Sequence, residues 1–180
     1  GLMDTPTIAN RFLMEAKITA QLDHPAIVPL HELGKLADGR LYFTMSEFRG
    51  QLLTDVIRQF HASSEAGQGF AGNIAFRRLL RAFHKTCQAV AYAHEQRTIH
   101  RDLKPANVMV GSFGQVLVLD WGLAMRLPRL AARIAEASEA DGESRPLPKI
   151  IAGTPTHMSP EQARGDIEVL DERTDIYSLG

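Results

Sequence analysis

The chain has 180 residues, 44% of them hydrophobic and 23% charged, with a formal net charge of −1. These values are ordinary for one globular domain and give no basic surplus that would favour nucleic acid or an anionic membrane as partner. The single cysteine, Cys87, excludes an internal disulfide, and no apolar run reaches the length of a membrane span or the form of a leader peptide, so a cytoplasmic location is expected.

The chain opens at Gly1 rather than Met and stops at Gly180 within what reads as a helix start, the pattern of an excerpt, so an anchor elsewhere stays open. Thr5-Pro6 has the form of a helix opening, with threonine as cap and proline at the first helical position. Over residues 5–22, Phe12, Thr19 and Leu22 recur at helical spacing, and Glu15 falls on the same face. A carboxylate there is either a boundary residue at the edge of a solvated face or the partner of a cation. Asp23-His24-Pro25 ends the helix, because the residue before a proline avoids helical geometry. Residues 27–33 and 41–45 read as strands joined through Asp38-Gly39, a hairpin signal. Met45 reads from its own pattern as a core methionine. Residues 52–60 predict a short helix and 61–73 a polar, glycine-containing insertion. Residues 74–96 form the longest helical pattern, with Leu79, Leu80, Phe83, Cys87, Val90 and Ala91 as its buried stripe. His84 and His94 lie in or beside that stripe, without the cysteine or acidic cluster that a metal site needs.

The chemistry concentrates in His100-Arg101-Asp102-Leu103-Lys104-Pro105-Ala106-Asn107. This loop presents a carboxylate (Asp102), a cation two residues on (Lys104) and an amide five residues on (Asn107). Residues 108–110 and 116–119 then form a hairpin that returns Asp120 to the neighbourhood of Asn107. One carboxylate and one amide oxygen suit a hard cation such as Mg²⁺, which shares its shell with phosphates. Asp102 is left to orient and deprotonate a hydroxyl. The turn Gly111-Ser112-Phe113-Gly114 has the letters of a phosphate loop, but it joins two assigned strands and reads as a plain hairpin turn. Residues 123–152 are a long connection with an Ala/Glu/Arg-rich middle. It runs into Gly153-Thr154-Pro155-Thr156-His157-Met158-Ser159-Pro160-Glu161, and the chain closes on Asp171-Glu172-Arg173-Thr174-Asp175-Ile176-Tyr177-Ser178-Leu179-Gly180.

The catalytic-loop stretch followed by Asp120-Trp121-Gly122 resembles the catalytic loop and metal-binding motif of protein kinases. The wording of Glu15-Ala16-Lys17-Ile18-Thr19, of Leu22-Asp23-His24-Pro25-Ala26-Ile27-Val28-Pro29 and of Met158-Ser159-Pro160-Glu161-Gln162 is most similar to the bacterial eukaryotic-like Ser/Thr kinases. The resemblance runs over nearly the whole chain, from the family's C helix to the start of its F helix. It implies an α+β, bilobal kinase fold in truncated form. Residues 1–45 would be the remainder of the N-lobe, 46–50 the hinge, 51–180 a portion of the C-lobe and 120–161 the activation segment. Asp102 would be the base, Lys104 would steady the γ-phosphate, and Asn107 and Asp120 would hold Mg²⁺. Glu15 would hold the ATP-binding lysine of the family's third strand. Met45 would be the gatekeeper, Glu47 and Phe48 would meet the adenine in the hinge, and Met109 would line the nucleotide site. Asp175 would hold the backbone of the catalytic loop.

By the same resemblance the cofactors are ATP and Mg²⁺, and the partner is a Ser/Thr-bearing protein substrate, with dimerisation for autophosphorylation and no nucleic acid. Lys104 and Thr154 follow the Ser/Thr rather than the tyrosine pattern. Arg101 implies control by phosphorylation of the activation segment, with Ser138, Ser144, Thr154 and Thr156 as candidate acceptors and the two threonines slightly ahead. The chain departs from the family by Trp121 for Phe, by Ser159 for Ala, and by having neither a glycine-rich loop nor a third-strand lysine ahead of the C helix. Lys17 and Lys35 do not fit that lysine's place, so the stretch as given is expected to bind ATP poorly and to transfer phosphate slowly or not at all. Two other readings compete. A pseudokinase scaffold has no physical need to keep Asp102, Lys104, Asn107 and Asp120 together. A small-molecule phosphotransferase of kinase-like fold does not account for Lys104 and the 153–161 segment.

Overall fold

The computed structural model describes residues 5–63, 73–128 and 149–180, and among these it forms an α+β arrangement of five α-helices and seven short strands. Helix α1 (Thr5–Thr19) winds down through tight turns, with Gln21 N donating to Ile18 O and Leu22 N to Thr19 O, both at 3.1 Å, before Pro25 stops it. Its deepest side chains are Ala16 and Ile18. Of the expected stripe, Leu22, just past the helix, is deep at 3% exposed, whereas Phe12 and Thr19 are half-buried. Phe12 stacks on Phe43 at 4.9 Å.

Strands β1 (Leu30–Lys35) and β2 (Leu41–Met45) form an antiparallel hairpin with Lys35 opposite Leu41, and Gly39 turns it at φ 90°. The first strand begins at Leu30 rather than at 27. The reason is that Ile27 bridges in parallel to Val118, and Val118 N donates to Ala26 O at 2.8 Å. Strand β3 (Gly50–Leu52), absent from the sequence reading, pairs with β5 (Val108–Gly111), which pairs with β6 (Val116–Val118). Gly50 faces Gly111 in that ladder, and a Cβ on Gly50 would lie 2.6 Å from Val110 O. Strands β4 (Thr98–Ile99) and β7 (Met125–Arg126) make a second small antiparallel pair.

Helix α2 (Leu53–Ala62) buries Leu53, Val56 and Phe60. Helix α3 (Ile74–Glu95) starts where the sequence places it, capped by Asn73 Oδ1 accepting from Phe76 N at 2.9 Å. Its buried face is Ala82, Thr86, Ala89, Val90 and Ala93, while Leu80 is 50% and Phe83 43% exposed. Of the expected stripe, only Val90 is deep. Large side chains on the inner face would overpack a helix that runs this close beneath a hairpin. Short α4 (Pro160–Arg164) is capped by Ser159 and closed by Gly165 at φ 73°. Helix α5 (Glu172–Leu179) is capped by Asp171. None of these helices is long and apolar enough to cross a membrane.

The largest core cluster joins α1, the following loop, α3, the catalytic loop and β6 through Leu22, Ile27, Ala89, Leu103, Val118 and Trp121. Ile27 sits at the junction, 1% exposed. Ile27→Ala is expected to lower the unfolding free energy by about 2–5 kcal/mol, read as a lower urea midpoint at unchanged slope.

Candidate active site

The loop from His100 to Asn107 is anchored from below by Asp175 on α5. Fully buried, Asp175 accepts from His100 N at 2.8 Å and from Arg101 N at 2.9 Å, and its Oδ2 lies 2.8 Å from His94 Nε2. His94, on α3, is therefore a second-layer partner of the loop rather than a metal ligand. His100 is buried as well. Its Nδ1 accepts from Asp102 N at 3.2 Å and its Nε2 meets Leu119 O at 3.0 Å, a network that assigns the neutral tautomer with the proton on Nε2. Burial pushes the pKa of His100 down despite the neighbouring Asp175 carboxylate and Leu119 carbonyl, which agrees with a neutral ring. Trp121 packs against it, ring centroids 4.7 Å apart, so the residue that replaces the family's Phe fills a buried slot.

Asp102 stands at the centre of a polar cluster. Lys104 Nζ donates to its Oδ2 at 2.8 Å, Thr154 Oγ1 to its Oδ1 at 2.6 Å, and Asn107 Nδ2 to its backbone O at 2.8 Å and its Oδ2 at 3.2 Å. Lys104 also donates to Thr154 Oγ1 at 2.6 Å. Burial alone would raise the Asp102 pKa. The hydrogen bonds from Lys104, Thr154 and Asn107 and the ammonium charge outweigh it and hold the carboxyl below its ordinary value of 3.8. Asp102 is thus an ionised carboxylate at neutral pH.

The β5–β6 hairpin returns the chain beside this loop, with Leu119 N donating to Asn107 O at 2.8 Å. Asp120 follows in left-handed geometry, φ 60°, and is exposed. Glu15 approaches it from α1. A Cβ on Gly122 would lie 3.1 Å from Asp120 Oδ1 and 3.2 Å from Glu15 Oε2, so the glycine leaves room for both carboxylates. Burial first, and then the Asp120 charge, raise the pKa of Glu15. Glu15, Met45, Asp120 and Trp121 line one cleft of about 300 Å³ together with Val28 and Phe43. Met45 is 51% exposed and forms a wall of this cleft instead of a core contact.

Glu47, Phe48 and Met109 do not line that cleft. Glu47 is exposed and pairs with Arg49 at 3.1 Å. The Phe48 ring lies against Gly50 and Gly111, and Met109 faces the same ladder opposite Leu52.

Arg101 occupies left-handed backbone, φ 69°. Its side chain is half-buried; among the described residues Nε and Nη2 have no partner, and Nη1 donates to Leu123 O at 3.4 Å. Burial lowers the pKa of this guanidinium, with Asp175 opposing. Thr156 is exposed and its hydroxyl lies 2.9 Å from His157 Nδ1, whereas Thr154 is engaged in the Asp102 cluster. Ser138 and Ser144 lie outside the described residues. One residue escaped sequence reasoning. Gln162, 1% exposed, donates from Nε2 to the carbonyls of Arg101 and of Ala152, the latter at 2.7 Å, and so ties the activation segment to the catalytic loop. Its only sequence signal was an amide directly after Ser-Pro-Glu, which no periodicity distinguishes.

A carboxylate within an Asp–Lys–Asn loop, fixed from beneath by a helix aspartate, is the arrangement of the protein kinase domain class. The chain is a member of that family: the protein kinase domain matches residues 3–180. It is 40% identical over 186 residues to the serine/threonine-protein kinase PknD of Protochlamydia amoebophila, a match covering 99% of this chain and 18% of the relative. It is 35% identical over 188 residues to PknD of Chlamydia caviae, covering 99% and 19%, and 34% identical over 191 residues to PknD of Chlamydia muridarum, covering 99% and 20%. The chain therefore spans about a fifth of the length of these curated relatives. Protein kinases as a family use ATP and Mg²⁺ to phosphorylate proteins.

Among the described residues no cation is paired with Glu15, and its raised pKa marks a carboxylate whose charged form the fold disfavours. Glu15→Gln is therefore expected to hold or raise the thermal midpoint at neutral pH. A raised folded pKa penalises the fold fully above it and not at all once both states are protonated. The advantage of the variant should accordingly fade as pH falls through the carboxylate range, a trend that calorimetry over a pH series would record.

Proposed function

We infer that this chain carries the phosphotransfer centre of a serine/threonine protein kinase. The observation that supports it most is the polar cluster on Asp102. Oδ2 is filled by Lys104 and Asn107, but Oδ1 holds only Thr154. A carboxylate oxygen has two lone pairs, so one acceptor site on Oδ1 remains for an incoming hydroxyl. Asp102, ionised and held by three neighbours, orients that hydroxyl and takes its proton as the oxygen attacks phosphorus. Lys104 balances charge at the reacting phosphoryl group, and Thr154 fixes both Asp102 and Lys104 from the substrate side. Such positioning and preorganised charge are the main sources of catalysis in phosphoryl transfer.

The donor set fits the family's cation. Asn107 spends its amide nitrogen on Asp102, which leaves its oxygen, with the Asp120 carboxylate, as hard ligands. Among the described residues no group of three or more His, Cys, Asp or Glu side chains forms a metal cage, in keeping with a cation that shares its shell with phosphates. When bound, the magnesium nucleotide supplies the phosphoryl group and neutralises its charge. Glu15 would align the nucleotide's lysine beside Asp120. Met45, on the wall of the cleft, would border the adenine, and the family resemblance would add Glu47 and Phe48 of the 46–50 segment and Met109 from outside that cleft.

Arg101 supports control by phosphorylation. A half-buried guanidinium with two nitrogens idle among the described residues is a ready receptor for a dianion on the activation segment, and the exposed hydroxyl of Thr156 is the better acceptor, since Thr154 is already engaged.

In the intact protein that contains this domain, label from γ-labelled Mg·ATP is expected on Ser or Thr. Transfer should fall about 10²–10⁴-fold in Asp102→Asn, and at least as far in Asp120→Asn. A folded wild type that transfers no label would overturn the catalytic reading in favour of a scaffold. Phosphatase treatment is expected to lower activity and to speed proteolysis within the activation segment, and Arg101→Ala should abolish both responses. Indifference of the wild type to phosphatase in both assays would remove Arg101 from this role.

A further inference from the structure

A second concave site lies away from Asp102, between the first half of α3 and the turn of the β5–β6 hairpin. Its volume is about 490 Å³, and its walls are Ile74, Arg77, Arg78, Arg81 and Lys85 from the helix and Phe113 from the turn. The floor is apolar and buried, made of Ala82, Val110 and Val116. The rim is apolar and open, Ile74 being 81% and Phe113 91% exposed. Lys85 Nζ donates to Gly114 O at 2.7 Å and fixes the turn against the helix. Arg77, Arg78 and Arg81 have no carboxylate partner among the described residues, and no Asp or Glu occurs between Ile74 and His94.

Folding does not explain this arrangement. Arg77, Arg81 and Lys85 recur at four-residue spacing, where like charges weaken a helix. Arg77 and Arg78 also sit near the helix N-terminus, where the macrodipole disfavours cations. In a chain of net charge −1, four cations without a carboxylate partner among the described residues, set around an apolar slot, are charge-complementary to a ligand that is both acidic and apolar. From Arg77 to Lys85 the helix advances about 12 Å, the length of about four residues of extended peptide. A nucleic acid would engage a longer phosphate track, and a membrane surface would need a convex face, whereas this site is a short groove.

We propose that the α3–hairpin groove is a docking site for an acidic peptide segment of a partner protein, with its carboxylates on Arg77, Arg78 and Arg81 and a large apolar side chain between Ile74 and Phe113. None of these residues belongs to the Asp102 cluster, so docking is independent of the phosphotransfer reading.

The test is fluorescence anisotropy on the intact protein with a labelled ten-residue peptide of alternating glutamate and aspartate around a central phenylalanine. Saturable binding is expected, weakened at least tenfold in Arg77→Gln/Arg81→Gln and severalfold in Phe113→Ala. The same peptide with its acids amidated should not bind. Circular dichroism establishes that the variants are folded, and phosphotransfer to a short peptide without acidic residues should be unchanged in them. Absence of saturable binding would overturn the proposal, as would a peptide affinity that the arginine variants leave intact. It would equally fall if a twelve-nucleotide poly-uridine or a phosphatidylserine vesicle bound more tightly, and independently of Phe113.

Discussion

The site depends on one buried carboxylate. Asp175 places a carboxyl group where there is no solvent contact, which is tolerable only because both of its oxygens are hydrogen-bonded. Two of its donors are successive backbone N–H groups of the catalytic loop, so the loop's path and the helix position are one constraint. Removing the carboxylate would leave two buried N–H groups without partners, each costing about 1–3 kcal/mol. His94 closes the arrangement from α3, so α3, the loop that follows it and the distant α5 are locked at one point.

That lock explains how Arg101 can hold left-handed backbone, which a non-glycine residue adopts at a cost of about 1–3 kcal/mol. Its N–H is held by Asp175 and its carbonyl by Gln162, which reaches across from the start of α4. The peptide is fixed on both sides, and the side chain is left in a half-buried place with two idle donors. A left-handed backbone and a guanidinium with two nitrogens unpartnered among the described residues thus meet in one residue. The same Gln162 also grips Ala152, so the order of the activation segment and the geometry beside Asp102 are mechanically joined.

The chemistry was more legible in the sequence than the packing. Asp102, Lys104, Asn107 and Asp120 announce themselves because each residue type has a definite chemical use at a fixed spacing, and turns are written locally in Gly and Pro. The buried faces of α1 and α3 were in part misread because apolar periodicity favours large side chains, whereas the most buried positions here include the small Ala16, Ala82, Ala89 and Ala93. Strand β3 and the bridge from Ile27 to Val118 were invisible because their pairing is set by tertiary contact, not by local pattern. Gln162 and His94 were undervalued for a related reason: a polar residue's role depends on what stands opposite it, and sequence spacing carries no record of that.

The β5–β6 hairpin relates the two ends of the molecule's chemistry. At its base it is stitched to the catalytic loop through Leu119 and Asn107 and to the segment after α1 through Val118 and Ala26. At its tip, about four residues or 13 Å away, the turn closes through Gly111 N donating to Gln115 O at 2.9 Å, is flanked by the Gly50–Gly111 pairing with β3 and is tied to α3 by Lys85, and it presents Phe113 to solvent. The base is therefore over-determined, and little can vary there without moving Asp120 relative to Asn107. The tip is free of that constraint, and Phe113 stands 91% exposed there. The three-stranded sheet of β3, β5 and β6 thus joins a fixed base beside Asn107 to an open tip beside α3.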